Sequence, residues 1–123
     1  MSKKANKKKG DWGECQALDI LIGKGHCLLA KNYRCKMGEV DLITRLGDTI
    51  VFTEVKYRSG LTYGTPGQAV DYRKQRHIIK TALHYIKQKH LFQENVRFDV
   101  IELLDSKDGL IANHIENAFL MAF

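Results

Sequence analysis

A chain of 123 residues, 44% hydrophobic and 28% charged, is the size of one ordinary domain and can bury a modest core. Its formal charge of +6 says little about partners, because five lysines fall in the opening MSKKANKKKG and the remainder carries 15 basic against 14 acidic residues. No run approaches the roughly eighteen apolar residues of a membrane span, and no apolar stretch follows the basic start as in a secretory signal, so a cytoplasmic protein with no membrane partner is expected.

Residues 1–10 read as a disordered basic tail that adds either nonspecific attraction to phosphates or only solubility, and 11–123 as a single domain. Asp11 followed by Glu14 is a capping signal. The series Cys15, Leu18, Leu21 and Ile22 then predicts a helix from about residue 12 to Gly23. Glu14 falls on the border of that stripe. The three cysteines, Cys15, Cys27 and Cys35, lack C-x-x-C spacing and are expected as small core residues; the alternative is a zinc site completed by His26.

HCLLAKNYR predicts a first strand, and KMG turns it into EVDLITR. Alternation in EVDLITR sends Val40, Leu42 and Thr44 to one face and Glu39, Asp41 and Ile43 to the other. TIVFTEVKY is rich in β-branched and aromatic residues and groups Ile50, Phe52, Glu54 and Lys56. The glycine-rich RSGLTYGTPG is a loop. It leads into a long helix with Thr65 as N-cap, Pro66 at its first position and Gln68 completing a capping box. That helix should bury Val70, Ile78, Ala82, Tyr85 and Ile86 and expose a basic ridge of Arg73, Arg76, Lys80, His84 and Lys87. VRFDVIELL reads as a strand, DSKDG as a turn, and LIANHIENAFLMAF as a last strand or irregular apolar tail.

The hairpin raises an electrostatic problem. With Gly47-Asp48 as a two-residue loop, Ile43 faces Phe52, Asp41 faces Glu54, and Glu39 faces Lys56. Two carboxylates about 5 Å apart at an effective dielectric near 20 repel by roughly 3 kcal/mol, which is large against a domain's stability. A divalent cation would offset this, since Mg²⁺ takes one or two carboxylates and completes its shell with water and phosphate oxygens. Glu14 could supply a third carboxylate, and Lys56 a compact positive charge to orient water or stabilise charge at phosphorus. The competing reading is a wet sheet face on which Glu39 merely pairs with Lys56.

GEVDLI, VFTEVKYR, TPGQAV…K and RFDVIE together resemble the YraN-like family of uncharacterised bacterial proteins, from Trp12 onward. That family belongs by fold to the PD-(D/E)xK nucleases and is similar to Holliday-junction resolvases. The resemblance implies a restriction-endonuclease-like α/β fold, an αβββαβ core with a central mixed sheet flanked by helices. It implies that Asp41 is the motif aspartate, Glu54 and Lys56 the E-x-K, and Glu14 the helical glutamate, with Val40 standing where the motif has proline. Gln68 and Tyr72 have the weaker Q-x-x-x-Y spacing of RecB-like nucleases. The implied activity is Mg²⁺- or Mn²⁺-dependent cleavage of DNA, branched or otherwise structured, with Arg73, Arg76, Lys80 and Lys87 along the phosphate backbone. Two cuts on a junction would call for two sites and hence a homodimer. A noncatalytic nucleic-acid-binding module on the same fold is the alternative.

Overall fold

The computed structural model describes residues 3–59 and 70–121. Its elements are α1 (Lys3–Gly23), β1 (Cys27–Cys35), β2 (Gly38–Leu46), β3 (Thr49–Ser59), α2 (Tyr72–Lys89), β4 (Asn95–Ser106) and β5 (Gly109–Phe119). The strands form one mixed sheet in the order β1-β2-β3-β4-β5. Only β3 and β4 are parallel, and α2 supplies the crossover that parallel neighbours need. This is the expected α/β core, and the apolar C-terminal segment adds a fifth strand antiparallel to β4.

Neighbouring residues Val100 and Ile101 on β4 belong to different apolar clusters, so the sheet is packed on both faces. Ile78, Ile79, Ala82, Tyr85 and Ile86 of α2 cover Ile43, Ile50, Phe52, Phe98 and Val100. Ala17 and Leu21 of α1 cover Leu42, Ile101 and Leu103 on the other face. Gly13 of α1 is buried against the sheet. A Cβ there would stand 3.5 Å from Leu103 Cδ1 and 3.8 Å from Tyr57 Cβ.

Several sequence expectations are corrected. Helix α1 starts at Lys3, so its bounds take in the lysine-rich stretch expected as a disordered tail, and Asp11 lies inside it rather than capping it. The buried stripe of α1 is Ala17 and Leu21 with Leu18 and Ile20 partly covered, whereas Ile22 is exposed. Cys15 and Cys27 are exposed and Cys35 half-buried, so none is a core residue. His26 is buried instead, with Nδ1 2.8 Å from Thr44 Oγ1.

Helix α2 begins at Tyr72, not Pro66, because Asp71 caps it by accepting from the Lys74 N–H at 2.8 Å. The capping box expected at Thr65–Gln68 lies outside the described residues. Alternation also fails within β2. Val40 joins Ile43 on the α2 side, while Leu42 packs under α1. On β1 the facing register runs from Lys31↔Leu42 to Tyr33↔Val40 and skips Asn32 and Asp41, and Asn32 has φ +50°. A residue in that left-handed region cannot continue a regular strand, which accounts for the break in pleat beside Asp41.

A carboxylate pair at the fork between β2 and β3

The hairpin register is the expected one. Leu46 pairs with Thr49 across Gly47-Asp48, Gly47 has φ +62°, and Ile43 faces Phe52. The ladder then ends at Leu42↔Thr53, one step before Asp41 would face Glu54. Beyond this point β3 continues to pair with β4 as far as Ser59↔Asp105, while β2 continues along β1 to Cys35↔Gly38. The two strands have parted into a fork.

Asp41 sits in this fork. One of its carboxylate oxygens, Oδ2, accepts from the Val55 backbone N–H at 2.8 Å, replacing the ladder partner that β2 no longer supplies. Its carboxyl is also hydrogen-bonded to that of Glu54. Glu54 is buried, 6% exposed, on the same side as Phe52. Burial, then the charge of Asp41 and the hydrogen bond to it, push the Glu54 carboxyl up to about 8, against the smaller opposing influence of Lys74 and Lys56. At neutral pH the Glu54 carboxyl therefore holds a proton.

Lys56 is two residues on from Glu54, close enough for its charge to act on it. The expected pairing of Lys56 with Glu39 is replaced, because the ladder stops short of both; Glu39 instead meets Arg34 of β1 at 3.3 Å. Lys74 of α2 is a site residue that the sequence reading missed. Its Nζ lies 3.9 Å from Glu54 Oε1. The signal for it is spacing: Lys74 stands four residues before Ile78 and eight before Ala82, in line with the sheet-facing stripe, whereas the basic ridge runs through its neighbours Arg73 and Arg76.

Glu14 lies on α1, which packs against the face opposite to that of Glu54, and among the described residues no group of three His, Cys, Asp or Glu suited to a metal occurs. Arg73, Arg76, Lys80, His84 and Lys87 are exposed along α2, as expected of a ridge. Tyr72 is 64% exposed at its start with the Arg76 guanidinium 5.9 Å from its ring centre. Gln68 lies outside the described residues.

The two carboxylates suit a hard cation that binds one or two protein oxygens and keeps water and phosphate in its other positions. The donor set is all oxygen, and Glu54 is shielded from solvent, so a bound cation would replace the proton on Glu54. Two lysines at the rim supply charge of the sign that a phosphate requires.

Residues 13–103 match the model of a family described as uncharacterised protein family UPF0102. The chain is 46% identical over 116 residues to a UPF0102 protein of Clostridioides difficile, covering 93% of this chain and 98% of the relative. It is 47% identical to one of Clostridium acetobutylicum, with 93% and 95% covered. A third, from Caldanaerobacter subterraneus, is 45% identical over 121 residues, with 95% and 99% covered.

Proposed function

The chain belongs to the uncharacterised protein family UPF0102, and we propose that it is a metal-dependent endonuclease that hydrolyses phosphodiester bonds in DNA. The observation that carries this reading is the contact between Asp41 and buried Glu54 at the β2–β3 fork, with Lys56 beside it. Asp41 and Glu54 would hold Mg²⁺ or Mn²⁺, which when bound polarises a phosphate and makes an attached water more acidic. Val55 N–H fixes the Asp41 carboxylate so that little reorganisation is needed when the proton leaves. Lys56 orients the attacking water or stabilises charge developing at phosphorus. Lys74 reaches the Glu54 carboxylate from α2 and is placed to meet a phosphate oxygen.

Arg73, Arg76, Lys80 and Lys87 extend cationic surface along α2 from this end, which suits a phosphate backbone. Branched or otherwise structured DNA is the substrate form we favour, and paired incisions on a junction would place two copies of the site in a homodimer. The two-carboxylate count favours one competing reading, a noncatalytic DNA-binding module on the same fold. The test combines Mg²⁺ and Mn²⁺ thermal shifts, on wild type and Asp41→Asn, with cleavage of linear, flapped and four-way DNAs. The endonuclease reading expects stabilisation by metal in the wild type alone, with cutting of at least one substrate. Binding of metal and DNA without any cutting would favour the binding module, and equal metal effects in both proteins would remove the site.

A further inference from the structure

On the face of β3 opposite Glu54, an exposed aromatic stands at the root of the lysine-bearing helix. Trp12, the single tryptophan, is 43% exposed. Its ring meets Tyr57 edge-on, with centroids 5.7 Å apart and planes at 87°. Two features hold this pair in place. The Tyr57 hydroxyl donates to Asp105 Oδ2 at 2.9 Å, and Gly13, the residue after Trp12, is buried against Tyr57 and Leu103, seating α1 on β3 and β4 beside the ring. Trp12 is thus a braced aromatic ring with a large part of its surface in water, a position where burial against the core does not account for it.

The surroundings identify what would cover it. Preceding it in α1 are Lys3, Lys4, Lys7, Lys8 and Lys9, with no acidic residue before Asp11. A flat aromatic surface next to a lysine-rich stretch of chain is the chemistry that takes an unpaired base, the ring stacking on the base and the positive charge of that stretch favouring the phosphates. A base-paired duplex keeps its bases stacked on one another and offers no such face. We propose that Trp12, braced by Tyr57, is a stacking platform for an unpaired nucleotide, so that the DNA this protein takes contains single-stranded character near the point of contact. This rests on the DNA reading above but needs neither metal nor cleavage.

Because Trp12 is the sole tryptophan, its fluorescence reports the contact directly. The full chain is titrated in EDTA with an oligothymidylate, with an abasic strand of equal length, and with a blunt duplex. Quenching should accompany the oligothymidylate and be absent with the abasic strand and the duplex. Affinity for the oligothymidylate should fall about tenfold or more in Trp12→Ala and largely survive in Trp12→Phe, while duplex affinity stays within about twofold. Circular dichroism confirms that each variant folds. Equal quenching by the abasic strand, or undiminished oligothymidylate binding in Trp12→Ala, would overturn the platform while leaving salt-dependent duplex binding intact. Absence of binding to any of the three would overturn the DNA reading and the platform together. Cleavage with Mn²⁺ is scored separately, and its absence alongside Trp12-dependent binding supports the platform while removing the nuclease.

Discussion

Asp41 of β2 accepts a hydrogen bond from the Val55 backbone N–H of β3 at 2.8 Å, one step past the last ladder pair, Leu42↔Thr53. A side chain thus does locally what a strand would otherwise do, and in doing so it is held against Glu54. The fork that frees a backbone donor and the carboxylate that satisfies it are parts of one arrangement.

Glu54 gives the fold a defined pH dependence. Its carboxyl is raised from an ordinary 4.5 to about 8, chiefly by burial and then by Asp41, so between these values the folded protein holds a proton that the unfolded chain has released. The contribution is fully present below about pH 4.5 and is lost as pH rises to about 8, at up to about 1.4 kcal/mol per unit. Urea unfolding of wild type should therefore show stability falling through this window. Glu54→Gln should flatten the fall, and saturating Mg²⁺ should flatten it in the wild type only. A slope unchanged in Glu54→Gln would assign it to other groups.

Lys56→Ala separates chemistry from binding. A lysine that orients water or stabilises charge at phosphorus acts mainly in the transition state, while DNA binding in the ground state draws on many other cations. Single-turnover cleavage in Mn²⁺ should drop by about two orders of magnitude or more, with metal and DNA isotherms nearly unchanged. Cleavage surviving intact in the variant would end the role given to this residue.

The ridge on α2 should govern the salt dependence of binding. Replacing Arg73, Arg76 and Lys80 together should weaken binding across all DNA sequences and reduce the slope of log affinity against log salt by about 2 to 3. An unchanged slope would return these residues to the role of a solvated helix face.

Asp99, fully buried on β4, is predicted to be the main polar support of the β4–β5 pair. It accepts twice from Arg97 at 2.9 Å, from His114 Nε2 at 2.8 Å, and from the Asn117 N–H at 3.0 Å. Burial alone would raise its carboxyl, but the bonds from His114, Arg97 and Asn117 outweigh that and hold it below the usual carboxylate value. Asn117 has φ +53°, in the part of β5 that bulges between the pairs Phe98↔Phe119 and Val100↔Ile115. Asp99→Ala should cost about 3 to 5 kcal/mol, because it leaves Arg97 without its buried partner. The measurement is a urea midpoint at unchanged m-value; a loss below about 1 kcal/mol would mean that the bonds are not needed for the fold.

Local patterns in the sequence determined the strands, the Gly47-Asp48 turn and, through that turn, the register that brings Asp41 towards Glu54. They did so because a two-residue turn fixes pairing by counting, and side-chain alternation is set by the strand itself. Motif resemblance then singled out the same pair with Lys56. Only tertiary packing decided the rest. The parting of β2 from β3 at Leu42↔Thr53 and the sending of Val40 and Leu42 to opposite faces, opposite a left-handed Asn32 on β1, belong to the assembled sheet. Which helix covers which face put Lys74 beside Glu54 and set α1, which carries Glu14, against the other face. The cysteines, apolar enough to read as core, stand exposed or half-exposed because burial belongs to the assembled surfaces and not to residue type. The raised Glu54 carboxyl likewise needs the closed fold, since desolvation, its largest cause, exists only once α2 and the sheet exclude water.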